Sequence, residues 1–139
     1  MDIINYTKLN IENLIEFCAD KLNVSAKLIV MYNDNLLDKF SSADIEIEAL
    51  LYKSVLDHTY SLILRKGLKP DLIICHEMIH LQQYETGDLD LDMRTKTFYW
   101  KGKAYRDIPY MDRPWEIETF RKDRKLLKAY KLSAKQKPL

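Results

Sequence analysis

The sequence predicts an α+β fold in which a small, mostly antiparallel sheet packs against helices. Two long segments, residues 70–85 and 112–132, have helical spacing of apolar residues, and shorter β-prone runs lie between and before them. The predicted order of helix, strands, helix, hairpin and helix is typical of an α+β domain. We expect one domain over residues 1–139, which is long enough to bury one hydrophobic core.

The first half of the chain predicts one helix and two or three strands. Residues 10–22 carry apolar side chains at a helical spacing, whereas residues 26–32 are apolar and β-prone. Residues 59–65 predict a strand that ends before a glycine. Residues 44–55 begin with alternating charged and apolar side chains, which favours a strand, although a helix over residues 43–56 also fits.

The second half predicts a helix over residues 70–85, then a hairpin and a second helix. Residues 95–100 and 103–106 flank the dipeptide Lys-Gly, which favours a β-hairpin. The helix over residues 112–132 has Asp112 as a plausible cap and a proline in its first turn.

Composition and charge exclude some classes of protein and leave others open. No apolar run approaches the ~18 residues needed to span a bilayer, and the N-terminus does not resemble a signal peptide, so we expect a cytoplasmic protein without a membrane partner. Cys18 and Cys75 are expected to be buried thiols. Residues 121–139 carry +7, against −6 for the 120 residues before them. This basic C-terminal helix and tail could bind nucleic acid or an acidic partner, or could be a solvated helix face.

The most informative segment is His76-Glu77-Met78-Ile79-His80, within the first long helix. Histidines four residues apart lie on one helix face, so both imidazoles can reach one metal ion. Glu77 is rotated by about 100° and can take a proton from a water on that metal. Zinc lowers the pKa of such a water to about 7. The motif therefore predicts two zinc ligands, His76 and His80, and a general base, Glu77.

A chance match on a surface helix is the alternative, because short motifs also occur without function. However, two of the three histidines in the chain belong to the motif, and apolar residues cover most of this helix, which predicts that it is buried. Burying two histidines and a glutamate without partners would be costly, and a metal ion would supply the partners.

The third ligand is expected to be an acid, because His58 lies near a predicted turn and is expected at the surface. On a helical wheel, Glu116 falls within the apolar arc of the last helix, and Glu118 points the opposite way. Glu116 is therefore the favoured ligand and Glu118 the alternative. Glu116 could also be a first-turn acid favoured by the helix dipole. Asp123, on the same face, could orient a ligand histidine, but a surface salt bridge is favoured for it.

These motifs resemble those of the gluzincin metallopeptidases, in particular small single-domain metallopeptidases predicted in bacteria and their phages. In gluzincins, the His-Glu-x-x-His helix supplies two ligands and a later helix supplies a glutamate. The resemblance covers roughly residues 60–125 and rests on residues 76–83, 98–105 and 114–120. Only the first of these blocks is specific.

The resemblance implies a zincin-like fold and zinc-dependent cleavage of peptide or protein substrates with Glu77 as base. Glu116 precedes the small residue Thr119 by three positions, as the ligand glutamate often does in gluzincins, but Phe120 stands where many members have an aspartate. The resemblance also implies that an edge strand binds extended peptide by β-augmentation, and residues 59–65 are our candidate for it.

Three functions remain open from the sequence. In a metallopeptidase, a tyrosine or arginine would stabilise the oxyanion, and Tyr99, Tyr105, Tyr110 and Arg113 are candidates. A non-catalytic zinc-containing protein could instead bind nucleic acid or a partner through its basic helix, although the intact Glu77 argues against this. A metallohydrolase acting on a non-peptide amide or ester is the third possibility.

Overall fold

The computed structural model describes residues 1–43 and 45–136. Residue 44 of the predicted segment 44–55 and residues 137–139 of the predicted basic tail lie outside the described residues. The fold is α+β, as predicted, with two small sheets. The elements are, in chain order, β1 (Asp2–Asn5), α1 (Glu12–Leu22), β2 (Lys27–Tyr32), α2 (Asp34–Phe40), β3 (Ala49–Lys53), β4 (Thr59–Leu64), α3 (Asp71–Glu85), β5 (Leu89–Asp92), β6 (Thr97–Trp100), β7 (Lys103–Tyr105), a 3-10 turn (Tyr110–Asp112), α4 (Pro114–Phe120) and α5 (Asp123–Gln136).

The larger sheet is mixed, so the expectation of a mostly antiparallel sheet is wrong for it. Its strand order is β1-β2-β4-β3, in which β2 pairs in parallel with both β1 and β4, and only β3 with β4 is antiparallel. Parallel neighbours need long connections, and these are supplied by α1 and by the segment containing α2 and β3. The smaller sheet, β5-β6-β7, is antiparallel as expected.

The strand predicted to bind peptide is not at the edge of the sheet. β4 pairs with β2 on one side and β3 on the other, so the assignment of residues 59–65 as the edge strand is wrong. Both faces of β4 are covered, and all of its residues except Ser61 are buried. The edge strands are β1 and β3, and residues 49–53 form a strand rather than a helix.

The outer edge of β3 follows from its hydrogen-bond register. Arg65 N–H donates to the carbonyl oxygen of Glu48 at 3.0 Å, so Glu48 faces β4. In an antiparallel pair the backbone groups alternate in direction, so Leu50 also faces β4 while Ala49 and Leu51 face outward. No other strand among residues 1–43 and 45–136 pairs with this outer edge.

Helix α3 lies at the centre of the main core, beneath the larger sheet. Its Ile74 and Met78 belong to the same buried cluster as Ile15 of α1, Leu28 of β2 and Leu62 of β4. As predicted, α3 is buried on most of its circumference. On the opposite face of the sheet, α2 covers a smaller apolar cluster. Within the described residues, no helix combines the length and apolar character that crossing a membrane requires.

The predicted hairpin is confirmed as β6 and β7, joined at Lys101 and Gly102. Both turn residues have positive φ, 50° and 84°, which is the backbone of a type I′ turn and explains the glycine. Aromatic side chains of the hairpin surround the fully buried Trp115 of α4: the ring centroid of Phe98 lies 4.9 Å away and that of Tyr105 lies 5.4 Å away. This aromatic contact fixes α4 against the hairpin.

The predicted helix over residues 112–132 is in fact two helices, α4 and α5. Asp112 does not cap it but belongs to the preceding 3-10 turn. At the end of α4, Lys122 N–H bonds to the Thr119 carbonyl at 3.0 Å, which tightens the last turn and ends the helix. Asp123 then begins α5.

The corrected edge strand makes a hydrogen-exchange prediction. In β3, the amides of Leu50 and Tyr52 should exchange more slowly than those of Ala49 and Leu51, because only the first pair bonds to β4. NMR-detected exchange of the native protein would test this, with the amides of the central strand β4 as the protected reference. Equal protection of both pairs in β3 would contradict the assigned edge.

Candidate metal centre

Three buried side chains from α3 and α4 meet at the bottom of a cleft. His76 and His80 lie one turn apart on α3, and Glu116 approaches them from the first turn of α4. Oε1 of Glu116 lies 2.8 Å from Nε2 of His76 and 3.0 Å from Nε2 of His80. One potential ligand atom from each residue lies within 4.8 Å of the other two. The structure thus brings together the three residues that the sequence predicts as ligands.

The Nδ1 atom of His80, the outer ring nitrogen because it faces away from Glu116, is held by Gln83. Gln83 Nε2 donates to the Trp115 carbonyl oxygen at 3.1 Å, and a carbonyl oxygen can only accept. This contact fixes the amide orientation, so Gln83 Oε1 faces His80 Nδ1 at 2.7 Å and accepts its proton. Gln83 was not among the predicted site residues, although a polar side chain three residues after a ligand on an apolar helix is a signal for this role.

The outer nitrogen of His76 is held by the first residue of α5. Asp123, only 3% exposed, accepts from His76 Nδ1 at 3.1 Å. The favoured interpretation of Asp123 as a surface salt-bridge residue is therefore wrong, and the contact matches the orienting role instead. Phe120, where the gluzincin pattern has an aspartate, instead packs its ring 4.8 Å from the His76 ring.

The hydrogen bonds at the two Nδ1 atoms determine the protonation of the Nε2 atoms that face Glu116. With protons at both Nδ1 atoms, the neutral imidazoles of His76 and His80 direct their Nε2 lone pairs at an ionised Glu116 carboxylate. That arrangement is repulsive unless a cation lies between them. Tetrahedral zinc with bonds of ~2.0–2.1 Å separates its ligand atoms by about 3.3 Å. Two of the three separations, 2.8 and 3.0 Å, would need to widen by only a few tenths of an ångström, and the third, between the two histidine nitrogens, is at most 4.8 Å.

The electrostatics of the site also favour a cation beside a carboxylate. Burial acts to lower the pKa of His80, but the charge of Glu116 and its hydrogen bond outweigh burial and raise that pKa to about 9. Burial acts to raise the pKa of Glu116, but the charge of His80 and the two histidine hydrogen bonds hold it well below 4.5. The pKa of His76 is raised against the effect of its burial, chiefly by its hydrogen bond to Glu116.

Glu77 lies beside this group without belonging to it. It is 7% exposed and lines the cleft together with the three candidate ligands. Burial raises the pKa of its carboxyl group above 4.5, while the nearby His80 and His76 oppose that rise. A carboxylate with a raised pKa is a better proton acceptor, which is the property that a general base needs.

A cleft of about 320 Å³ opens above these residues, and most of its wall is apolar. The segment of residues 45–51, including the outer edge of β3, lines one side. Tyr110 and Arg113 line the cleft, and Tyr110 Oη donates to Glu116 Oε1 at 3.1 Å. The other two tyrosine candidates for the oxyanion are elsewhere: Tyr99 is 40% exposed on β6, and Tyr105 packs against Trp115.

The remaining candidates lie away from the centre. Glu118 is partly exposed and pairs with Lys122 Nζ at 3.2 Å, so it does not face the two histidines. His58 is exposed, as expected, and bonds to Glu85 at 2.8 Å. Cys18 and Cys75 are buried free thiols, as expected.

The basic part of α5 faces solvent. Its inner side, including Leu126, packs into the main core. The exposed basic residues of α5 and of the turn before it are Arg121, Lys122, Arg124, Lys125, Lys128, Lys131 and Lys135. Among the described residues, only Lys122 of this set forms an ion pair. The charge distribution is compatible with either a solvated face or an anionic partner.

The chain matches no known protein-family model, no curated protein and no solved structure. The resemblance to gluzincins is therefore carried by the motif residues alone.

The raised pKa of His80 predicts a pH-dependent stability of the metal-free protein. The folded-state value of about 9 exceeds the ordinary 6.5, so this contribution is complete below about pH 6.5 and is lost as the pH rises through about 9. Urea unfolding in the presence of a chelator should show lower stability at about pH 10 than at about pH 6. Glu116→Gln should reduce this difference, because it removes the charge that raises the pKa; an equal pH difference in both proteins would contradict the assignment.

Proposed function

We propose that this protein is a zinc-dependent hydrolase, most directly a metallopeptidase, whose zinc is held by His76, His80 and Glu116. The observation that carries the proposal is the convergence of two Nε2 atoms and one carboxylate oxygen, while Gln83 and Asp123 hold the opposite nitrogens. Two histidines and one acid with an open cleft above them form the ligand set of catalytic rather than structural zinc sites. Outer hydrogen bonds of this kind orient ligand histidines and strengthen metal binding.

The chemistry of the proposal divides between the metal and the chain. Zinc, when bound, would supply a Lewis acid that lowers the pKa of a coordinated water to about 7. Glu77 would accept the proton of the attacking water at its carboxylate and return it to the leaving amine. Tyr110, whose hydroxyl already points at Glu116, would donate a hydrogen bond to the carbonyl oxygen as negative charge develops there.

The free edge of β3 is the observation that favours a peptide as the substrate. Ala49 and Leu51 direct backbone groups away from β4, and both residues line the cleft. Tyr84 Oη already donates to the Leu51 carbonyl at 3.1 Å, which leaves the Leu51 N–H and the groups of Ala49 for a ligand. An extended peptide could add to this edge by β-augmentation. We also propose that the fold is related to that of the zincins and that the protein acts in the cytoplasm.

A non-catalytic zinc-containing protein is the second candidate. The exposed, largely unpaired basic residues of α5 favour it, because they offer a surface for nucleic acid or an acidic protein. The two candidates share the metal site and differ at Glu77, which only hydrolysis requires. A hydrolase of non-peptide amides or esters shares the same residues and would be distinguished by its cleavage products.

The two glutamates of α4 provide a matched test of the ligand set. Glu116→Ala should weaken zinc binding by more than about 100-fold, because it removes one of three ligands. Glu118→Ala should leave zinc affinity nearly unchanged, because Glu118 pairs with Lys122 outside the cleft. Competition with a chelating zinc indicator measures both. Loss of zinc from Glu118→Ala and retention by Glu116→Ala would reverse the assignment.

Glu77 should act in catalysis without holding the metal. Glu77→Gln should retain one zinc per chain and lose at least ~100-fold of the hydrolytic rate, the usual scale for a general base. Zinc content by elemental mass spectrometry and cleavage of a mixed peptide library measure the two properties separately. Loss of zinc in this variant, or full activity, would contradict the role, whereas zinc-loaded unaltered protein that cleaves no peptide would favour the non-catalytic candidate.

A further inference from the structure

We propose that Arg113 binds a carboxylate of the substrate and thereby makes the cleft selective for peptides that carry a carboxylate near the reacting bond. The inference rests on the proposed function and adds the substrate class to it. Arg113 stands just before α4, on the cleft wall that also contains Glu116.

The guanidinium of Arg113 is held in a fixed position. It lies over two aromatic rings, 5.0 Å from the ring centroid of Phe98 and 5.4 Å from that of Tyr110. Its Nε–H donates to the Ile108 carbonyl oxygen at 3.3 Å. Cation–π contacts and this hydrogen bond orient the side chain, so little conformational entropy would be lost when it binds a ligand.

The charge of Arg113 has no ionic partner in the described part of the chain. None of the carboxylates there forms an ion pair with it: the charge of Glu116 acts on Arg113 only from beyond ion-pair distance, and Oε1 of Glu116 is already bonded by His76, His80 and Tyr110. The side chain is only partly exposed. A partly desolvated cation in an apolar wall is costly without an anion, so its position points to a ligand that brings one.

The shape of a guanidinium selects the anion. Its terminal amino groups form a planar fork that matches the two oxygens of a carboxylate. Tyr110 contacts both the Arg113 guanidinium and the Glu116 carboxylate, so the recognised carboxylate would lie within about three residues of the reacting bond in an extended peptide. Two sources have this chemistry: the C-terminal carboxylate of a chain and the side chain of an aspartate or glutamate.

The test uses zinc-loaded full-length protein and ligands that need no turnover. N-acetyl-L-phenylalanine should bind about 10-fold more tightly than its amide, the scale of a charge-assisted hydrogen bond, and Arg113→Gln should abolish this difference. Arg106→Gln, which removes an exposed arginine that does not line the cleft, is the matched control and should keep it. Arg113→Lys retains the charge and should keep part of the difference, which separates recognition from a folding defect.

A second pair of ligands identifies the source of the carboxylate. N-acetyl-Phe-Glu-amide and N-acetyl-Phe-Gln-amide differ only in the charge of one side chain. Tighter binding of the charged ligand in this pair alone would show that Arg113 binds an acidic side chain. Tighter binding of N-acetyl-L-phenylalanine than of its amide, with no preference in the second pair, would show that Arg113 binds a chain end. Equal binding within both pairs, or a preference that persists in Arg113→Gln because the metal itself holds the carboxylate, would overturn the inference. Zinc content measured on the same samples reports separately on the proposed function.

Discussion

The carboxylate of Glu116, buried between two imidazole nitrogens, is the constraint on which the architecture of this protein depends. The Nε2 atoms of His76 and His80 lie 2.8 and 3.0 Å from it. The Nδ1 atom of His76 is bonded to Asp123, and that of His80 is bonded to Gln83. Such a group is stable in the interior only if a cation resides within it. Protons can fill that role, as the pKa of about 9 for His80 indicates, but two outward-bonded imidazoles and one carboxylate are better matched to a metal ion.

Separate parts of the fold hold the members of this group in place. α3 is immobilised by the main core, so its two histidines share one orientation. α4 is attached through Trp115 to the aromatic hairpin of β6 and β7, which sets the position of Glu116. After the break that follows Phe120, α5 starts at Asp123, which lies against His76. The smaller sheet and the helix break are therefore supports for the site.

Several parts of the fold that depend on residues close together in sequence were predicted correctly. The periodicity and the Lys-Gly turn gave α3 and the hairpin, and the helical wheel placed Glu116 inward. β1 and α2 were missed because each is short, although Asn33 caps α2 by accepting the Leu36 N–H at 3.1 Å. The alternation Leu-Asp-Leu-Asp of β5 was also a readable signal. The parallel pairing of β2 with β4 and the contact of Gln83 with Trp115 depend on long-range packing, which neither periodicity nor motif spacing encodes.

The most direct test of the account is the position of the metal itself. Crystals of the protein purified with zinc would be measured on both sides of the zinc absorption edge. We predict one anomalous peak per chain, about 2.0–2.2 Å from Nε2 of His76, Nε2 of His80 and a carboxylate oxygen of Glu116. No peak at this position, or a peak coordinated by other residues, would contradict the account.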